Sequence, residues 1–145
     1  MKKIVAATLF AGLFSSVSAF AAGVPEIDVE LDNGYNELRA AGNANINLAQ
    51  QVNIQAQANR AGFVKNNFQG TLSANVAAGV NEDSVNNRFG SVAGSNKGYT
   101  VFTGSSVGGS VSQCGPQVDK GTADLAASLV EDGTLVLANA NGCGL

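Results

Sequence analysis

Apolar and polar residues alternate with period two over several stretches of this chain, and that pattern predicts β-strands. Between Glu26 and Asp32, Ile27, Val29 and Leu31 face one way and Glu26, Asp28, Glu30 and Asp32 the other, which predicts a half-buried strand. Asn33-Gly34 follows as a turn. The four carboxylates lie along one extended line, whereas calcium ligands gather on a bent loop. They are therefore read as a solvated, like-charged face that deters sheet-edge association.

The longest alternation runs from Ala44 to Ala58. Ala44, Ile46, Leu48, Val52, Ile54 and Ala56 share one phase, broken by Gln50; Asn45, Asn47, Gln51, Asn53, Gln55 and Gln57 share the other, broken by Ala49. This exceeds the usual strand of about five or six residues, so it predicts one long strand or two with a bend near Gln50. A helix is the competitor, because Ala, Leu and Gln favour helices. Alternation would spread the apolar groups around a helix, however, and Asn is a poor helix former, so a strand is expected. The same phase returns at Leu72, Ala74, Val76 and Ala78, opposed by Thr71, Ser73, Asn75 and Ala77.

The second half is less regular. Gly90 to Ser112 is rich in Gly and Ser and predicts loops and short strands. Ala123 to Ala140 predicts a hairpin turning at Asp132-Gly133, with Val130 opposite Leu135, Leu129 opposite Val136 and Ala127 opposite Ala138. The expected fold is all-β, a small sandwich or a short β-solenoid.

Composition adds a destination. Lys2 and Lys3, the apolar run Ile4–Phe14 and the small residues around Ala19-Phe20-Ala21 form a cleavable secretion signal, 1–21, with Ala22 as the first mature residue. Cleavage after Ala19 is the near competitor. The apolar run is shorter than the roughly 20 residues of a spanning helix, so stable membrane insertion is not expected. The remaining 22–145 form one β-rich domain in which six basic residues face eleven acidic ones, a net charge of −5. The basic residues are scattered, which argues against nucleic acid and anionic lipid as partners.

Cys114 and Cys143 are the only cysteines and lie 29 residues apart. In an oxidising compartment the simplest expectation is one disulfide, with intermolecular pairing or free thiols as alternatives. An unstrained bridge would contribute about 3–4 kcal/mol on the chain-entropy account.

Little here supports catalysis. The chain has no histidine, which removes the usual general base and His-metal sites. Gly104-Ser105-Ser106-Val107-Gly108 matches the Gly-x-Ser-x-Gly pattern, but without a histidine partner it reads as a Gly/Ser-rich coincidence. Asp119, Asp124, Glu131 and Asp132 could form carboxylate pairs, yet no tryptophan offers a sugar platform, and they read as surface residues. No catalytic, metal-binding or cofactor-binding residues are assigned, and neither enzyme activity nor a cofactor is expected.

Between Asn43 and Asn96 stand twelve Asn and five Gln. Their amides can form ladders when like residues stack between strands, or can simply make the polar face of an ordinary extracellular sheet. The segment Asn75-Val76-Ala77-Ala78-Gly79-Val80-Asn81, continuing to Asn86-Asn87, resembles a repeat unit of Fap-type functional-amyloid subunits. The Asn/Gln alternation from Asn43 to Asn59 is loosely similar to curli-type repeats. Such a resemblance implies secretion, stacked β-strands and a role in biofilm matrix or adhesion. No second copy of the motif stands at a fixed spacing, and the two cysteines are not adjacent as in the terminal Fap-type motif.

The expectation is a secreted structural or adhesion protein, a subunit of a fibre, fimbria or biofilm matrix. Its partners would be copies of itself or a related major subunit, with an outer-membrane export machinery as a further candidate. The assembly residues expected are Asn45, Asn47, Asn53, Gln55, Asn75 and Asn81, with Ile46, Val52, Ile54 and Val76 packing behind them. The alternative is a monomeric binding module, periplasmic or extracellular, with a disulfide-stabilised β fold.

Overall fold

Alternation from Ile27 onward does become a strand, β1 (Ile27–Glu30), with Asp28 and Glu30 exposed and Leu31 buried just beyond it. The computed structural model describes residue 23 and residues 25–145; the expected signal over 1–21 lies outside the described residues. Seven more strands follow: β2 (Gly34–Arg39), β3 (Gln50–Gln55), β4 (Phe68–Leu72), β5 (Val76–Asp83), β6 (Arg88–Ser95), β7 (Val101–Ser105) and β8 (Ser112–Cys114). They form two sheets, one ordered β1-β3-β4 and the other β2-β5-β6-β7-β8. Only the β1–β3 pair is parallel. The result is a sandwich-like all-β fold with one disulfide, and the sandwich alternative holds over the solenoid.

The central strand β5 explains the layering. Ala77 belongs to a core with Val92, Val101, Cys114, Ala127, Val130, Leu135 and Leu137. Its neighbours Ala78 and Val80 belong to a second core with Leu31, Leu38, Val52 and Ile54. Successive side chains of a strand point to opposite faces, so β5 is buried on both. The three-stranded sheet covers one face of the large sheet, and the C-terminal segment covers the other. Small residues allow this close approach: a Cβ on Gly94 would collide with the main-chain carbonyl of Ala126.

The C-terminal layer departs from the hairpin expected over Ala123–Ala140. It consists of tight 3₁₀ turns at Leu125–Leu129, Asp132–Thr134 and Ala140–Gly142. Asp132-Gly133 does turn the chain, but Leu135 pairs with Cys143 rather than Val130. The reason is the disulfide Cys114–Cys143, present as expected, which draws residue 143 back beside Leu135. Val136 N–H then donates to Gly142 O and Gly144 N–H to Thr134 O, using groups that a hairpin would have needed.

The long alternation is also cut. Residues 44–47 form turns, Leu48 a bend, and strand structure begins only at Gln50. Asn45 N–H donates to Asn43 Oδ1 (2.8 Å), and Ile46 N–H to Asn43 O (2.9 Å). An Asn side chain that satisfies the backbone locally competes with a sheet ladder, and here it wins. The phase expected from Leu72 to Ala78 breaks at Ser73–Asn75, where Asn75 takes φ +66°. The Gly-rich stretch that predicted loops and short strands contains most of the eight-residue β6, and β2 carried no sequence expectation at all.

Two buried charges fasten the β3–β4 hairpin to the large sheet. A register shift between Glu37 and Arg39 turns both Leu38 and Arg39 inward. The Arg39 guanidinium, 1% exposed, donates to Val76 O (2.7 Å), Leu48 O (3.0 Å) and Ser73 O, clasping the open end of the hairpin. Burial lowers its pKa, and the three carbonyl acceptors offset that desolvation. At the loop end, the fully buried Glu82 carboxylate accepts from Val64 N–H (2.7 Å) and Gln57 Nε2 (3.0 Å).

Candidate assembly surface

The hairpin so fixed presents a polar outer face. Cross-strand register places Asp28, Asn53 and Gln69 in one row, Glu30 and Gln55 in the next, and Gln51 opposite Thr71. Asn53 Nδ2 donates to Asp28 Oδ1 at 2.9 Å. Asn53 Oδ1 is buried and has no partner among the described residues. Beside it lies a shallow depression of about 490 Å³ framed by Asp28, Asn53, Gln55, Asn67 and Gln69. Behind the amides, Val52 and Ile54 are buried at 2% and 5% exposure, each contributing about 1.5–3 kcal/mol of hydrophobic stabilisation.

The ten expected assembly residues fall into three places. Val52, Asn53, Ile54 and Gln55 share β3 with the expected facing. Asn45, Ile46 and Asn47 sit in the turns before it, with Ile46 buried and Asn47 exposed. Asn75, Val76 and Asn81 belong to β5 or the turn leading into it, in the other sheet; Asn75 N–H donates to Ile46 O. Only Asn53 and Gln55 therefore share the outer amide face. Gln51, Gln69 and Thr71 complete it, and the alternation within Phe68-Gln69-Gly70-Thr71-Leu72 carried the signal for the last two.

β3 is the middle strand, and its main chain pairs with β1 on one side and β4 on the other. The edges that remain are β1 and β4. β1 points Asp28 and Glu30 outward, a like-charged edge of the kind that resists strand addition. β4 contains no charged residue, and its side chains are mostly exposed. Chemistry elsewhere is sparse: among the described residues no His, Cys, Asp and Glu group could hold a metal ion, and no helix is long and apolar enough to cross a membrane. Ser106, the serine of the Gly-x-Ser-x-Gly match, lies in the turn after β7, where its hydroxyl accepts from Phe89 N–H (2.9 Å) and its own N–H donates to Phe89 O (2.8 Å).

Comparison of the chain with protein-family models, curated proteins and solved structures gives no match.

Proposed function

We propose that this protein is a secreted structural or adhesion subunit that adds strands of copies of itself, or of a related major subunit, to the three-stranded sheet. The observation that carries this reading is β4, an uncharged edge strand that borders an amide-rich face. Edge main-chain groups supply pairing, and Gln51, Asn53, Gln55 and Gln69 supply side-chain amides able to stack between layers. The Cys114–Cys143 bridge fits an oxidising compartment, and the resemblance of Asn75–Asn81 to Fap-type repeats points the same way. In this reading the site of action is the cell surface or extracellular space.

The test is fibre growth by the purified, disulfide-intact protein, followed by electron microscopy and amyloid-dye binding. Thr71→Lys should slow growth strongly, since stacked copies would bring like charges within about 4.8 Å. Thr71 is exposed, so this variant should stay folded. Wild-type protein that remains free of fibres at high concentration, or a Thr71→Lys variant that assembles at the wild-type rate, rejects the proposal.

A second reading has one specific observation in its favour. The unpartnered Asn53 Oδ1 beside the 490 Å³ depression offers hydrogen bonds to a polar ligand, as a monomeric periplasmic or extracellular binding module would. Protein that forms no fibres but shows ligand-induced NMR shifts confined to Asn53, Asn67 and Gln69 would favour it.

A further inference from the structure

Residues 116–145 form a strap of 3₁₀ turns and loops over one face of the five-stranded sheet. Its Ala127, Val130, Leu135 and Leu137 share a core with Ala77, Val92 and Val101 of the sheet. The main-chain bonds that tie it down run to turns rather than strands. Val118 N–H donates to Tyr99 O (2.9 Å), Ala126 N–H to Gly98 O (3.0 Å) and Asn141 N–H to Gly108 O (3.0 Å). The covalent tie is the Cys114–Cys143 bridge, which joins the far end of the strap to β8.

The closed strap carries internal costs. Tyr35 Oη, Thr103 Oγ1 and Thr134 Oγ1 are buried without a hydrogen-bond partner among the described residues. Thr103 shares the inward face of β7 with Val101, Tyr35 packs on the same core, and Thr134 belongs to the strap itself. Water satisfies such hydroxyls once the layer above them lifts, so all three favour the open strap. The backbone adds to this. Asp124 and Leu125 stand consecutively at φ +55° and +43°, a left-handed region that residues with a Cβ disfavour. The two sheets, in contrast, are joined independently of the strap. Their shared core is made by residues 31–80, and Arg39 and Glu82 fasten the β3–β4 hairpin to the large sheet.

We infer that the disulfide is a release catch: a dithiol reductant opens the strap while both sheets stay folded, uncovering the apolar face of Ala77, Val92 and Val101. Cys143 is half-buried and Cys114 fully buried, so attack falls on the Cys143 sulfur. A thiolate of the reductant bonds to that sulfur, the Cys114–Cys143 bond breaks, and Cys114 leaves as a thiolate that takes up a proton. The reductant's second thiol then displaces Cys143 as a thiol. The protein gains two electrons and two protons, and the reductant becomes its own disulfide. Without the bridge the strap is no longer tethered beside its seat, and the orphaned hydroxyls and left-handed residues shift it towards the open form. The protein thus responds to the thiol state of its surroundings, a property separate from strand addition at β4.

Hydrogen exchange of the folded protein before and after dithiothreitol tests this, with alkylation counting the freed thiols. Exchange in residues 117–142 should accelerate by roughly a hundredfold, while β3 and β5 change by less than about threefold. Reoxidation should restore the original pattern. Thr103→Val keeps the side-chain shape and removes one orphaned hydroxyl, so the reduced variant should open about tenfold less often than reduced wild type. A bridge that survives excess dithiothreitol in the folded protein, strap exchange unchanged by reduction, or equal acceleration in both sheets would each overturn the inference. So would a reduced Thr103→Val protein that opens as readily as reduced wild type. Thr71→Lys, which removes strand addition, should leave strap opening unchanged, so the catch and fibre growth are read separately.

Discussion

The main-chain amide of Val64 donates a 2.7 Å hydrogen bond to the carboxylate of Glu82, eighteen residues further along the chain. Glu82 is the penultimate residue of β5, beside the β3–β4 loop, and Gly62 lies where any side chain would overlap that carboxylate. Glu82→Ala would leave Val64 N–H and the Gln57 amide without their acceptor, costing about 2–4 kcal/mol in urea unfolding. Glu82→Gln should be milder, since its carbonyl can still accept from Val64. Gly62→Ala should destabilise by a comparable amount through collision alone. A Gly62→Ala protein as stable as wild type would mean that the loop is not held in this way.

Arg39 fastens the other end, and its effect should be local. Lysine cannot reproduce a planar fork that spans three carbonyls, so Arg39→Lys should cost about 1–3 kcal/mol. Hydrogen exchange should rise first in residues 45–49 and 73–76, the segments whose carbonyls it holds. Uniform acceleration across both sheets would contradict the clasp.

The disulfide carries the C-terminal layer. Replacing Cys114 and Cys143 together by serine removes about 3–4 kcal/mol on the chain-entropy account. Residues 116–145 rely on short 3₁₀ turns and a single isolated bridge, so limited proteolysis should cut there before any β-strand. Equal protection of both regions in the double variant would reject this order.

Alkaline stability should depend on Tyr35. Burial chiefly, then Glu37, Asp132 and Glu131, push its pKa up to about 12. The unfolded value is about 10, so the folded state holds the proton longer. The stabilisation is fully present below about pH 10 and declines as pH rises towards 12. Tyr35→Phe should flatten that decline in urea midpoints measured across this range. At neutral pH the substitution should be harmless or slightly stabilising, because the buried hydroxyl has no partner among the described residues. A wild-type midpoint that is unchanged from pH 9 to 12 would contradict this account.

Much of the sheet character was legible in the residues. Ile27, Val29 and Leu31 face inward, as do Val52 and Ile54, because period-two alternation is a local property that any sheet must respect. The pairing of Cys114 with Cys143 was legible because no other cysteine competes. The amide face was half legible: Asn53 and Gln55 were recognised, while Asn45 and Asn47 were lost to a turn that Asn43 makes with its own neighbours.

Alternation, turn residues and a single cysteine pair are written in the chain, and by themselves they determined an all-β, disulfide-closed protein. The tertiary structure alone decided which strands became edges, that β5 is buried on both faces, and that Phe102 of β7 and Gln113 of β8 stay exposed. Those outcomes depend on contacts between residues far apart in sequence. Ala77 and Ala78 look alike to any local rule, yet they enter different cores because different layers arrive on either side. Arg39 and Glu82 would be read as surface charges by composition, and are buried because loops 9 to 37 residues away bring hydrogen-bonding groups to meet them.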